Sequence, residues 1–334
     1  MKRGKFFLTA VLTFTMIMGF SLVSPFGAEA GPFKPEKPKI TFGLPVVTYT
    51  FLPVYIAVDE GLFAEEGLEV ELVSFRGGSD LTKGIVSNSV DVGLTSLAGV
   101  SLGIRAGQGL KVFYAGFNMP SFDWYALPKY KTIADTKGAK YGISRFGSST
   151  DFLTRYALIA NGLDPEKDVK ILQGGRSATR LAAMEAGQLD VNIFAAPEKF
   201  ISEDKGYNLI MRQRDLAEDY PFHTFFAKEA FIKSNPNTLK AMLRGVIKGI
   251  RLMRSNKALA LKVLGKRIKM DEKYLERTYN DFTNFIFEDG RLPSKKGMEV
   301  FFKQGIMSGT YKEIWPEEKY FDRTFVGSYN QWKP

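Results

Sequence analysis

The chain has 334 residues, 45% of them hydrophobic and 25% charged, with a net charge of +10, one histidine and no cysteine. The lack of cysteine excludes disulfides, thiolate metal sites and cysteine nucleophiles. The length exceeds what one simple core usually serves, so two lobes are expected. The charges are interspersed, with no block of like sign five residues long, which argues for a solvated surface with a mild bias toward anions and against a nucleic-acid partner.

Residues 1–30 have the three-part layout of a secretory signal. Lys2, Arg3 and Lys5 form a basic start, an apolar run follows from Phe6 to about Val23, and Ala28-Glu29-Ala30 precedes Gly31. This predicts a cleavable signal peptide cut near Ala30-Gly31 and export to the periplasm. With no cysteine there is no lipid tether, so a freely diffusing protein is expected. Losing that segment's three bases and one acid leaves a charge of +8.

Residues 31–38 are a proline-rich lead. A first strand is predicted at Lys39–Leu44, then a loop from Gly43 to Pro53 and a helix over about Val54–Val58. Leu68–Phe75 alternates like a strand, and Gly77-Gly78-Ser79-Asp80 breaks it and caps a helix starting at Leu81. The layout recurs later: a strand at Val169–Leu172, a Gly174-Gly175 break, a helix capped by Ser177 and running through Glu185, then Leu189-Asp190-Val191. Gly78 to Asp91 and Gly175 to Asp190 span similar distances along the chain. This duplication predicts an α/β protein with one βαβ-like unit in each of two similar lobes.

Lys111–Phe117 reads as the strand completing the first unit. Asp123–Leu127 and His223–Ala227 are extended runs placed where the chain would cross between lobes. The predicted organisation is lobe one at 31–122, lobe two at 123–222, and a helical return to lobe one at 223–334. In that return Leu239, Met242, Leu243, Val246, Ile247, Ile250 and Met253 form an apolar helical stripe, read as core packing and not as a cofactor box.

The run Ala57-Val58-Asp59-Glu60-Gly61-Leu62-Phe63-Ala64-Glu65-Glu66-Gly67-Leu68-Glu69-Val70 carries a family signature. So do Gly77-Gly78, Asn88-Ser89-Val90-Asp91-Val92-Gly93 and Gly107-Gln108-Gly109-Leu110-Lys111. In lobe two they are joined by Ile133-Ala134-Asp135-Thr136-Lys137-Gly138, Gly147-Ser148-Ser149, Asn161-Gly162-Leu163 and Ala186-Gly187-Gln188-Leu189-Asp190. In order and spacing, over about residues 39–250, the chain resembles the nitrate/sulfonate/taurine-type periplasmic binding proteins, a group that includes thiamin-pyrimidine-precursor binders. The resemblance implies the type 2 periplasmic-binding-protein fold, two α/β lobes joined by a two-stranded hinge. It also implies a ligand cleft between the lobes, no catalysis, no cofactor, and delivery of solute to an inner-membrane ABC permease by a monomer.

In α/β lobes a ligand meets the carboxyl ends of strands and the N-termini of helices, where free N–H groups hold anions. The candidate ligand-binding residues follow. Thr48, Tyr49 and Phe51 lie in the loop after the first strand, Gly78 in the glycine turn, and Thr95 and Ser96 at a strand end. Arg145, Ser148, Ser149 and Thr150 form the glycine-turned entry to a lobe-two helix, where Arg145 offers a bidentate charge. Gln173 and Pro197 end lobe-two strands, and Asn118 lies near the hinge. Glu198, beside Pro197, would disfavour a nearby anion. The aromatic loops point to a small organic anion, a sulfonate, carboxylate or relative, over a bare inorganic ion. A ligand-sensing module for a membrane receptor would share every one of these features. Enzymes resembling this family that make the thiamin pyrimidine use a cysteine-rich iron motif and a consumed histidine; here there is no cysteine, and the lone His223 is read as structural.

Overall fold

The computed structural model describes residues 31–307 and 309–334, so the expected signal segment lies outside the described residues. Among the described residues ten strands form two five-stranded sheets. The first holds β1 (Lys39–Leu44), β2 (Glu69–Ser74), β3 (Val92–Thr95), β4 (Leu110–Phe117) and β10 (His223–Lys228). The second holds β5 (Asp123–Ala126), β6 (Lys140–Ile143), β7 (Lys170–Gln173), β8 (Val191–Phe194) and β9 (Asn208–Arg212). Their spatial orders, β2-β1-β3-β10-β4 and β7-β6-β8-β5-β9, are one pattern used twice. In each sheet three strands run parallel, and an antiparallel strand is inserted beside them. That inserted strand is the one that follows directly from the other sheet: β5 comes after β4, and β10 after β9.

Burial explains the strand sequences. In β2 Glu69 and Glu71 are exposed while Val70 and Leu72 are half-buried, matching the expected alternation, and in β1 Ile40, Phe42 and Leu44 are buried. The central strands β3 and β8 are buried at all four positions and read as continuous runs, as strands covered on both faces should. Phe225 on β10 packs against Phe42, Phe113, Tyr114 and Phe117. Each such side chain contributes roughly 1.5–3 kcal/mol by leaving water.

Eleven of the helices matter here. They are α1 (Leu52–Asp59), α2 (Gly78–Val86), α3 (Leu97–Arg105), α4 (Ser149–Ala160), α5 (Ser177–Glu185), α6 (Glu198–Asp204), α7 (Glu229–Ser234), α8 (Pro236–Ser255), α9 (Lys257–Arg267), α10 (Glu272–Phe282) and α11 (Lys295–Met307). The apolar stripe of α8 is buried and packs on α1, as its spacing predicts. Two cap expectations change. Helix α2 begins at Gly78, so Ser79 and Asp80 stand inside its first turn, and Ser177 is the first residue of α5 instead of its cap. Neither helix has a side-chain cap bond.

The chain crosses between sheets through residues 118–122 and 213–222, and the two crossings are bonded to each other. Gln213 N–H donates to the Phe122 carbonyl at 2.9 Å, and Phe122 N–H donates to Gln213 Oε1 at 3.1 Å. Beside them the buried Lys199 of α6 pairs with Asp123 at 3.5 Å and with Asp281 of α10 at 2.7 Å. The C-terminal helices therefore do more than complete the first sheet's half. Helix α10 also pairs Arg277 with Glu203 and Tyr274 with Asp204 of α6, and α11 packs on α4.

Candidate functional site

A cavity of about 280 Å³ opens between the two sheets, where the carboxyl ends of the strands face one another. From the first sheet's side it is walled by residues 45–50, Arg76, Gly77, Gly78, Thr95 and Ser96. From the second it is walled by Ser144, Ser148, Ser149, Thr150, residues 175–178, Arg180 and residues 195–198. Phe122, Phe222 and His223 form the part next to the crossings, and Ile268 and Lys269 come from the C-terminal helical region. The duplicated topology sets this up, because matching helices begin at the same edge of each sheet.

Four helices of nine residues or more start on this wall: α2, α3, α4 and α5. Ser96 caps α3, accepting from Gly99 N–H at 3.3 Å, while α2, α4 and α5 have no side-chain cap. Their leading N–H groups carry the positive end of the helix dipole into the cavity. Glycine at 78 is required by the close approach here, since a Cβ would lie 2.6 Å from Thr95 Oγ1. In the second wall the hydroxyls of Ser144, Ser148 and Thr150 hydrogen-bond one another at 2.8–2.9 Å. Asp151, in the same turn, is neutralised by Arg155 at 2.8 Å.

The electrostatics centre on Arg180. It is 1% exposed, donates from Nη1 to the Gly142 carbonyl at 3.2 Å and from Nη2 to Ser177 Oγ at 3.1 Å, and lies over the Phe194 ring. Its Nε has no partner, and no carboxylate lies within ion-pair distance among the described residues. Burial pulls its pKa down to about 10, and Glu198 opposes that shift. Burial in turn holds the Glu198 carboxyl above its usual range, with Arg180 acting in the opposite sense. Arg76, Arg176 and Lys269 stand exposed on the rim, so the lining has four cations and one carboxyl.

Of the thirteen expected binding residues the structure brings nine to the cavity: Thr48, Tyr49, Gly78, Thr95, Ser96, Ser148, Ser149, Thr150 and Pro197. Four are elsewhere. Phe51 is fully buried behind the wall, its ring 4.6 Å from that of His223. Asn118 is packed into the crossing, donating from Nδ2 to the Arg291 carbonyl at 3.0 Å. Gln173 is exposed and accepts from Phe146 N–H at 3.0 Å. Arg145 turns to the opposite half instead of the cavity, pairing with Asp80 at 3.2 Å and donating to the Arg76 carbonyl at 3.0 Å. The loop that carries it is anchored by Ser148, so its side chain can span the gap between lobes.

Sequence reasoning missed Arg180 and left His223, read as structural, outside the candidate set. Arg180 lies three residues after Ser177, on the face of α5 that meets the cavity, and that spacing is the only available signal. His223 is on the wall, 6% exposed, with Nε2 at 3.3 Å from Thr50 Oγ1. Burial lowers its pKa to about 3, so the ring is neutral at ordinary pH. Among the described residues no cluster of metal-ligating side chains is present, and no helix is long and apolar enough to cross a membrane.

Two α/β lobes facing one cavity across a doubled crossing define the periplasmic-binding-protein fold. The sequence match agrees: a model of the family described as NMT1/THI5 like covers residues 48–259, more than half of the chain, and the chain belongs to that family. Among curated relatives, the bicarbonate-binding protein CmpA of Synechococcus elongatus is 27% identical over 256 residues, 64% of this chain and 54% of that protein. The chain thus spans about half of that relative's length. Among solved structures, a protein of Bordetella bronchiseptica RB50 superposes with a TM-score of 0.76 at 24% identity, covering 89% of this chain and 98% of that one. The periplasmic aliphatic sulphonate binding protein SsuA of Escherichia coli superposes with a TM-score of 0.67 at 16% identity, covering 85% and 91%. At these identities the two structures share the fold.

Proposed function

We propose that this protein is the solute-binding component of an ABC importer, and that it holds a small organic anion in the cavity between its lobes. The observation carrying this reading is Arg180, a buried guanidinium on the cavity wall with no carboxylate in ion-pair reach among the described residues. A buried charge is costly until it is paired, and an anionic solute supplies the missing charge. Helix N-termini and hydroxyls on both walls add donors without adding charge. The names of CmpA and SsuA, which speak of bicarbonate and aliphatic sulphonate, support an anion.

The lobes are taken as 31–122 with 223–334, and 123–222. A solute touching both of them favours the closed arrangement over open ones. The reading includes export through the signal segment at residues 1–30 and work in the periplasm as a monomer with a membrane permease. It does not include catalysis. His223 and Thr50 face each other as a base and a hydroxyl would, but a ring titrating at about 3 is too weak a base to take a hydroxyl proton near neutrality.

Ligand-dependent thermal stabilisation tests this. Melting curves are recorded with nitrate, bicarbonate, methanesulfonate, taurine and benzoate. A binder's melting temperature climbs once ligand exceeds the dissociation constant. Stabilisation by at least one of them, and its loss in Arg180→Met, is the expected outcome. Flat curves for every anion overturn the reading.

A further inference from the structure

Among the described residues that line the cavity, two have a buried side-chain nitrogen with no hydrogen-bond partner: Arg180 with Nε, from the second sheet's side, and His223 with Nδ1, from the crossing. They differ in kind. The guanidinium is charged. The imidazole is held neutral by burial, and its other nitrogen is engaged by Thr50 at 3.3 Å. The ring is clamped between Phe51, at a centroid distance of 4.6 Å, and Phe222, at 4.0 Å.

A neutral ring adds a hydrogen bond but no charge, so with Arg180 taking the anionic end it is left to a polar group on the body of the solute. Whether Nδ1 donates or accepts depends on which nitrogen holds the proton, and a hydroxyl satisfies both cases. Beside the ring the wall is mixed: Phe122 and Phe222 are apolar, while Tyr49 and Thr50 carry hydroxyls. The cavity, at about 280 Å³, far exceeds the ~30 Å³ share of one water. A bare inorganic ion would fill only a small part of that volume.

We infer that His223 is a specificity-determining residue that hydrogen-bonds an uncharged polar group on the body of the solute, while Arg180 takes its anionic end. The substrate class is then an organic monoanion with an apolar or planar body bearing a hydroxyl, carbonyl or ring nitrogen. This inference rests on the reading of the cleft as an anion site. A site built to bond a polar group discriminates against the analogue lacking it, because its own group is left unpaired.

The test is titration calorimetry on the full exported chain. The probes are benzoate, its three monohydroxy isomers and the three pyridine carboxylates, with nitrate and bicarbonate alongside. In the unaltered protein at least one substituted acid should bind about tenfold more tightly than benzoate, the worth of roughly one hydrogen bond. His223→Phe keeps the packing between Phe51 and Phe222 and should cut that preference to less than about twofold. His223→Asn, which places an amide near Nδ1, should retain part of it. Arg180→Met should weaken every member alike and leave the ratio standing. The readout is a ratio within one variant, so a general packing defect does not move it, and if His223→Phe melts early the His223→Asn ratio decides. Undiminished preference in His223→Phe, complete loss in a folded His223→Asn, or no preference in the unaltered protein overturns the inference. Tight nitrate or bicarbonate with no organic acid bound overturns it while leaving the anion reading intact. Binding of no anion at all overturns both.

Discussion

Among the described residues two buried cations, Arg180 and Lys199, stand in the second half of the chain, and their surroundings differ. Lys199, beside the crossing, lies between Asp123 at 3.5 Å and Asp281 at 2.7 Å, so its charge is cancelled within the protein. Arg180, in the cleft, has carbonyl and hydroxyl partners only, and its nearest acidic influence is Glu198, beyond ion-pair distance. The contrast separates structure from function. A buried charge that the chain neutralises itself fixes how the halves are joined; on the proposed reading, the one left without a counter-charge among the described residues receives the solute.

The strongest way to break this contrast is Lys199→Met. Removing the cation leaves two carboxylates facing one another without compensation, and loss of one partner of a buried pair costs about 3–5 kcal/mol. Denaturant unfolding should register that loss, with anion affinity per folded molecule little changed. Arg180→Met should do the reverse. Loss of a charge-assisted bond, about 1.5–3 kcal/mol, predicts roughly 10- to 100-fold weaker anion binding by calorimetry. Its unfolding midpoint should stay level or rise, because an uncompensated buried charge is gone. If Arg180→Met unfolds the protein and Lys199→Met spares it, the contrast is wrong.

Smaller effects sharpen it. Ser148→Val removes one hydroxyl of the cavity triangle and should weaken binding about fivefold to tenfold. Glu198 adds a pH dependence. Burial raises its folded pKa above the unfolded value of 4.5, so the folded state keeps the proton longer as pH rises. Its contribution to stability is therefore present below pH 4.5 and is lost as pH climbs through the raised value. Anion affinity should fall over the same window as the carboxylate forms. Glu198→Gln should flatten both slopes and strengthen binding severalfold at neutral pH. Smallest of all is Asp80→Asn, which releases Arg145 across the mouth of the cleft. That pair is partly exposed and is worth at most about 1 kcal/mol, so affinity should change less than about fivefold.

Much of the architecture was legible because it rests on local pattern. The alternation of β2, the glycine breaks before α2 and α5 and the apolar stripe of α8 were all readable along the chain, the first and last because periodicity records burial of one face directly. Hydroxyls next to helix starts were legible as well, since Thr95, Ser96 and Ser148–Thr150 sit where strand ends meet helix N-termini. Arg145 misled because its neighbours do line the cavity, while its own long side chain reaches across to Asp80, a partner 65 positions earlier in the chain.

What the sequence determined by itself was a repeated α/β unit, its hydrophobic cores and the edges where helix N-termini gather, all consequences of short-range spacing. Which charges would be paired was decided only in the folded molecule. Lys199 meets Asp281, and Arg180 has no acid in ion-pair reach among the described residues, because of how distant segments pack, and His223 came to the cavity because β10 returns beside β3 after the second sheet is made. Charge compensation depends on distance in space, and no local pattern along the chain encodes that distance.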